Sequence, residues 1–137
     1  MMLKIDTEIE VRYYETDQMG VVHHSNYIRY FEVARTLSMK KVGIPYDEME
    51  RRGIMMPIVF VSCDYKRPAL FGDTIRVTTI LEQLPAVRIH YKYEIHNQKD
   101  ELLATGTTVL AFIDAITKRP KRAPEYLLDI LKSYFSK

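Results

Sequence analysis

Between Tyr13 and Tyr27 the chain runs Tyr-Tyr-Glu-Thr-Asp-Gln-Met-Gly-Val-Val-His-His-Ser-Asn-Tyr, its densest collection of carboxylate, imidazole, hydroxyl and amide groups. Asp17 is the carboxylate at the centre, from its spacing alone either an Asx-turn residue or a group that serves as general base or as nucleophile. Apolar residues at helical spacing begin at Tyr27, so a helix start falls near His24 to Asn26. A helix start directs unpaired N–H groups and the positive end of the dipole at whatever precedes it. A carbonyl held there is polarised, and an oxyanion formed from it meets preorganised donors, each contributing roughly 2.7 to 4 kcal/mol in a dry site.

Other chemistries fit less well. His23 and His24 are neighbours, and adjacent positions on a helix point about 100° apart, so they do not chelate one ion together; no metal site is expected. Cys63 lies inside the apolar run Val59-Phe60-Val61-Ser62-Cys63 with no sequence-adjacent histidine, which predicts a buried structural thiol. Neither a phosphate-cradling glycine loop nor a serine nucleophile elbow occurs. Ser25 or Asn26 suits a helix cap.

The elements that position the cluster follow from periodicity. Thr7 to Tyr13 alternates as a first strand. Tyr27, Tyr30, Phe31, Ala34, Leu37 and Ser38 lay an apolar stripe along a helix to about Val42, ended by Gly43. A short helical turn follows over Tyr46 to Arg52. Ile58 to Lys66 is apolar enough for a strand buried on both faces. The runs Ile75 to Leu81 and Val87 to His96 alternate and form an antiparallel pair. Leu102 to Ile113 is a long strand with Gly106 as a bulge or close-approach point. Ala123-Pro124-Glu125 opens a last amphipathic helix. This is an α+β domain: a curled antiparallel meander of about five strands wrapped around one long central helix, with residues 1–137 forming a single domain.

The chain has 137 residues, 47% of them hydrophobic, and a net charge of +2. That size supports a real core, and the small charge disfavours a protein that neutralises many phosphates, though not a single phosphorylated ligand, so no nucleic-acid partner is expected. Charges interrupt every hydrophobic segment, so no membrane span is expected. One cysteine excludes an internal disulfide, and the charged start Lys4, Asp6, Glu8 does not resemble a signal peptide; the expected location is the cytoplasm.

The segment Asp17-x-x-Gly20-Val21-Val22-x-His24-x-Asn26-Tyr27, with the later Tyr65-x-x-Pro68-Ala69-x-x-Gly72-Asp73, resembles the hot-dog-fold acyl-CoA thioesterases of the 4-hydroxybenzoyl-CoA thioesterase type. The resemblance extends from about Glu8 to Ile116. It implies a hot-dog fold and hydrolysis of an acyl-CoA to free acid and CoA, with no cofactor beyond the CoA of the substrate. It also implies that Asp17 is catalytic, either attacking the thioester carbon to give a mixed anhydride or activating a water. His24 assists through its backbone N–H or its ring, or is a structural histidine at the helix terminus. Some members carry tyrosine where His23 stands, so His23 is given no role. Tyr27, Val59 and Phe60 are expected to bind the acyl group, within an apolar channel that also includes Tyr30, Phe31 and Ile58. Lys66 and Arg67 are expected to meet the acidic nucleotide, with Lys118, Arg119, Lys121 and Arg122 as further cations.

One helix does not cover a five-stranded face alone and exposed sheet edges pair, so a homodimer or homotetramer is expected. The resembled family places its sites between subunits, which would bring Asp17 of one chain to Val59–Ser62 of another. Three other functions share the pocket: an acyl-carrier-protein thioesterase, a non-catalytic acyl-CoA-binding module, and a hot-dog dehydratase or hydratase, the last disfavoured by the aspartate motif.

Overall fold

The computed structural model describes residues 2–135. Strand β1 (Leu3–Glu10) precedes helix α1 (Ser25–Lys41) and the short α2 (Tyr46–Arg51). Strands β2 (Ile54–Met55), β3 (Ile58–Tyr65), β4 (Thr74–Leu81), β5 (Arg88–His96), β6 (Leu102–Ala111) and β7 (Ile113–Asp114) follow, then α3 (Glu125–Phe135). Five strands form one antiparallel sheet in the order β1-β4-β5-β6-β3, and β2 pairs with β7. Helix α1 lies against β1, β3 and β4. Tyr27, Tyr30, Phe31 and Ala34 bury their side chains toward Ile75, Val77, Tyr91, Tyr93 and Ile95 of the sheet. No helix among the described residues is long and apolar enough to cross a membrane.

Phe31 shows how closely helix and sheet approach. Its ring stacks on Tyr93 at 4.4 Å and 11°, and it lies where a side chain at Gly106 would have to go. Pairing of Gly106 with Cys63 and Tyr93 is regular, so the glycine marks a close approach and not a bulge. The register irregularities fall elsewhere, between Ile58 and Phe60 and between Ile95 and His96.

Several expectations are corrected. The first strand ends at Glu10, because Tyr13–Glu15 turns into a 3-10 helix whose Glu15 carboxylate accepts the Arg12 N–H at 2.8 Å. The sheet is not a simple meander: only β4, β5 and β6 follow one another, and β3 crosses to the far side of β6. That makes β3 an edge strand, exposed over much of its length, where two buried faces were expected. Ile58, Val59 and Phe60 are 42%, 45% and 54% exposed. Cys63 is accordingly only part-buried. On α1, Leu37 is exposed while Arg35 takes a buried position, four residues after Phe31 on the same face.

Candidate active site

The chain between β1 and α1 is tied down at both ends. Thr16 bridges Val22, the Asp17 N–H donates to the Val21 carbonyl at 2.8 Å, and Val22 N–H donates to Ala69 at 2.8 Å. The turn inside this hairpin needs Gly20, whose φ of +77° is a conformation that L side chains rarely adopt. Asp17 faces solvent, and its Oδ1 accepts the Met19 N–H at 2.8 Å and the Val21 N–H at 3.4 Å. One carboxylate oxygen thus holds the turn, and Oδ2 has no partner among the described residues.

Asn26 anchors the other end. Its buried amide donates to the Glu15 carbonyl at 2.9 Å, and Glu15 in turn accepts the Tyr30 hydroxyl at 2.9 Å. Burial first, and then the Glu15 hydrogen bond, push the Tyr30 phenol far above its ordinary pKa, so it remains a donor. Asn26 therefore does not cap the helix, and Ser25 does not either. His23, to which the sequence reading gave no role, covers the helix start from one residue before the N-cap: its Nδ1 accepts the Ser25 N–H at 3.3 Å and lies 2.9 Å from Ser25 Oγ, while its carbonyl accepts the Asn26 N–H. The signal was a polar ring two residues before the helix's first N–H, outside the usual Ser/Thr/Asn/Asp capping set.

His24 stands at the N-cap position in αR conformation. The N–H groups of Ser25, Asn26 and Tyr27 already have acceptors, whereas the His24 N–H has none among the described residues. The His24 ring lies 4.2 Å from that of His23, and its carbonyl accepts the Tyr65 hydroxyl at 3.1 Å. Tyr27 is buried beneath, its ring 5.0 Å from Tyr65 and its hydroxyl accepting the Ala69 N–H at 3.0 Å. Burial pushes the Tyr27 phenol above its ordinary value.

One open cleft of about 370 Å³ is lined by Asp17, His24, Tyr27, Lys66 and Arg67 together, with Val22, His23, Tyr65 and Pro68. Asp17, His24, Tyr27, Lys66 and Arg67, all singled out from the sequence, thus meet in one place. Lys66 and Arg67 follow the end of β3, and Arg67 pairs with Glu101 at 3.0 Å. Val59 and Phe60 are not in this cleft but on the exposed edge of β3. Tyr30 and Phe31 are core residues. The run Lys118 to Arg122 leads from β7 toward α3 and does not line the cleft; Lys121 reaches Asp114 at 3.8 Å and the Lys118 ammonium donates to the Ala115 carbonyl.

A five-stranded antiparallel sheet packed on one long helix, with an open cleft at the start of that helix, is the hot-dog architecture. The chain belongs to the thioesterase-like superfamily, whose family model matches residues 11–131. It is 40% identical over 113 residues to the Bacillus subtilis protein named "Putative acyl-CoA thioesterase YneP", covering 82% of each chain. Among solved structures it is similar to a DHNA-CoA thioesterase from Staphylococcus aureus, with 41% identity, a TM-score of 0.87, and coverage of 97% of this chain and 89% of that one. It is also 32% identical over 133 residues to a chloroplastic acyl-acyl carrier protein thioesterase from Arabidopsis thaliana, covering 95% of this chain and 67% of that protein.

Proposed function

We propose that this chain is an acyl-CoA thioesterase in which Asp17 acts on the thioester carbon while the His24 N–H polarises the carbonyl oxygen. The observation that carries this reading is the meeting of Asp17, His24, Tyr27, Lys66 and Arg67 in one cleft at the start of α1. The carbonyl oxygen takes the free N–H at the positive end of the helix dipole. Asp17 then attacks the carbon itself, giving a mixed anhydride that water hydrolyses to the free acid and the original carboxylate, or takes a proton from a water that attacks in its place; either way the C–S bond breaks and the thiolate takes up a proton and leaves as CoA. Tyr27 forms the floor under the acyl group. Lys66 and Arg67, at the mouth, meet the phosphates of the nucleotide.

The complete site needs a second copy. The exposed apolar start of β3 fits an edge that pairs with another chain, and Val59 and Phe60 of that copy would wall the acyl group opposite Asp17. The working unit is then a homodimer, or a homotetramer of two such pairs, each chain one domain. The lone cysteine suits a reducing cytoplasm.

Likeness to the Arabidopsis protein supports a second donor, the same acyl group on a carrier protein, since both donors present a phosphopantetheine arm. Thiol release from acetyl-, hexanoyl-, palmitoyl- and benzoyl-CoA, run beside matched carrier-protein thioesters, tests the reading. Faster release from one or more CoA esters is the expected result. Faster release from carrier-protein esters selects the second donor, and saturable binding with no release makes the chain a binding module.

A further inference from the structure

A second cavity, of about 170 Å³, opens between α1 and α2 and shares no lining residue with the cleft at Asp17. Its apolar wall is Met49, Ile54, Met56 and Leu110, and Arg35 reaches it from α1. Arg35 lies about 16 Å along α1 from His24 at the rise of a regular helix.

Arg35 is only 5% exposed, yet among the described residues no Asp or Glu forms an ion pair with it. One guanidinium nitrogen donates to the Tyr93 hydroxyl at 3.3 Å, and its Nε is buried without a partner. Tyr46 and Tyr91, whose hydroxyls lie 3.4 Å apart, stand nearby. Burial pushes the Tyr46 phenol up to about 12 and raises Tyr91 and Tyr93 as well, so all three stay neutral and bring no counter-charge. Ser38, the next turn along the helix, has its hydroxyl buried and unpaired.

A buried guanidinium without an anion is expensive, and the planar group that satisfies it best is a carboxylate. We propose that the α1–α2 cavity is a binding site for a monocarboxylate with an apolar body, anchored by Arg35. The carboxylate supplies the missing charge beside the guanidinium, while the body packs on Met49, Ile54, Met56 and Leu110. Glu32 and Glu50 also line the cavity, but from exposed positions where water screens them, so they weaken the binding of any anion and most of all one with a second negative charge. Only the source of the ligand rests on the thioesterase reading. It is either a free acid, the class of compound that thioester hydrolysis releases, or the far end of an acyl chain that itself carries a carboxylate.

The full chain, with its methionine methyl groups isotope-labelled, is titrated with benzoate and, separately, with benzamide while the Met49 and Met56 signals are followed by NMR. Benzoate is expected to shift both signals and benzamide to bind at least about tenfold more weakly, the loss expected when a charge-assisted bond becomes a neutral one. Arg35→Met is expected to erase the difference. Equal binding of the two probes by the unaltered chain, or no shift at either methionine, overturns the site, and this comparison stands even if the variant does not fold. Two further arms separate the sources. A KM for tetradecanedioyl-CoA, whose extended chain is long enough to run from His24 to Arg35, below that for tetradecanoyl-CoA, and lost in Arg35→Met, supports the substrate's far end. Inhibition of hexanoyl-CoA turnover by benzoate without competition supports the free acid. Because the titration reads binding without turnover, its failure is distinguishable from failure of the thioesterase reading.

Discussion

The Tyr65 hydroxyl donates to the His24 carbonyl at 3.1 Å, tying the end of edge strand β3 to the first turn of α1. The bond joins the two elements that supply the cleft: His24 and Tyr27 from the helix, Lys66 and Arg67 from the chain just after the strand. Tyr65→Phe removes the bond and keeps the ring packing against Tyr27. A hydrogen bond of this kind contributes about 1 kcal/mol, so kcat/KM is expected to fall about fivefold. Steady-state kinetics on one acyl-CoA check this, and an unchanged value would show that the bond does not position His24.

The ring and the N–H of His24 are separable. Its φ of −55° already suits proline, so His24→Pro deletes the N–H with the backbone near its present conformation. His24→Ala deletes only the ring. If the N–H polarises the carbonyl, kcat for the proline variant falls by about 100-fold or more, and the alanine variant loses much less. The reverse order would assign the role to the imidazole.

Gly106→Ala tests the approach of helix to sheet. The new methyl group would overlap the Phe31 ring and come within 2.8 Å of the Ser62 carbonyl oxygen. Phe31 is fully buried and stacked on Tyr93, so it has nowhere to move. A loss of about 2 kcal/mol is expected in urea denaturation. A loss under about 0.5 kcal/mol would mean that the core yields there.

Lysine at Val59 and Phe60 places two charges on the exposed edge of β3. In the proposed assembly this separates the copies, and light scattering after gel filtration is expected to report monomers with little activity. An unchanged mass would move the interface elsewhere on the molecule.

What the sequence made legible, and what it did not, follows from which forces act within one chain. The alternation of β4 and β5 and the apolar stripe of α1 were readable because each buries one face in this chain's own core. The apolarity of β3 was equally visible but misassigned: Ile58, Val59 and Phe60 read as doubly buried, whereas in the single chain they are an open edge. Apolar periodicity does not say whose core is being filled. Asp17 stood out through the family motif, because its local geometry alone is an ordinary turn that holds Met19. Leu37 was expected on the buried stripe and is exposed, while Arg35, to which the sequence reading gave no place, is buried, since a charged side chain on the buried face is settled by three-dimensional neighbours such as Tyr93. His23 was missed as a helix cap because the ring acts through Nδ1, outside the usual capping residues.

The most direct test of the account is thiol release from the best acyl-CoA by Asp17→Asn beside the unaltered chain. The asparagine carbonyl can still accept the Met19 N–H, so the hairpin and the circular dichroism should be unchanged. The account predicts a fall in kcat of about 100-fold or more with KM little altered, since the amide is neither nucleophile nor base. A folded variant that keeps most of its rate would contradict it.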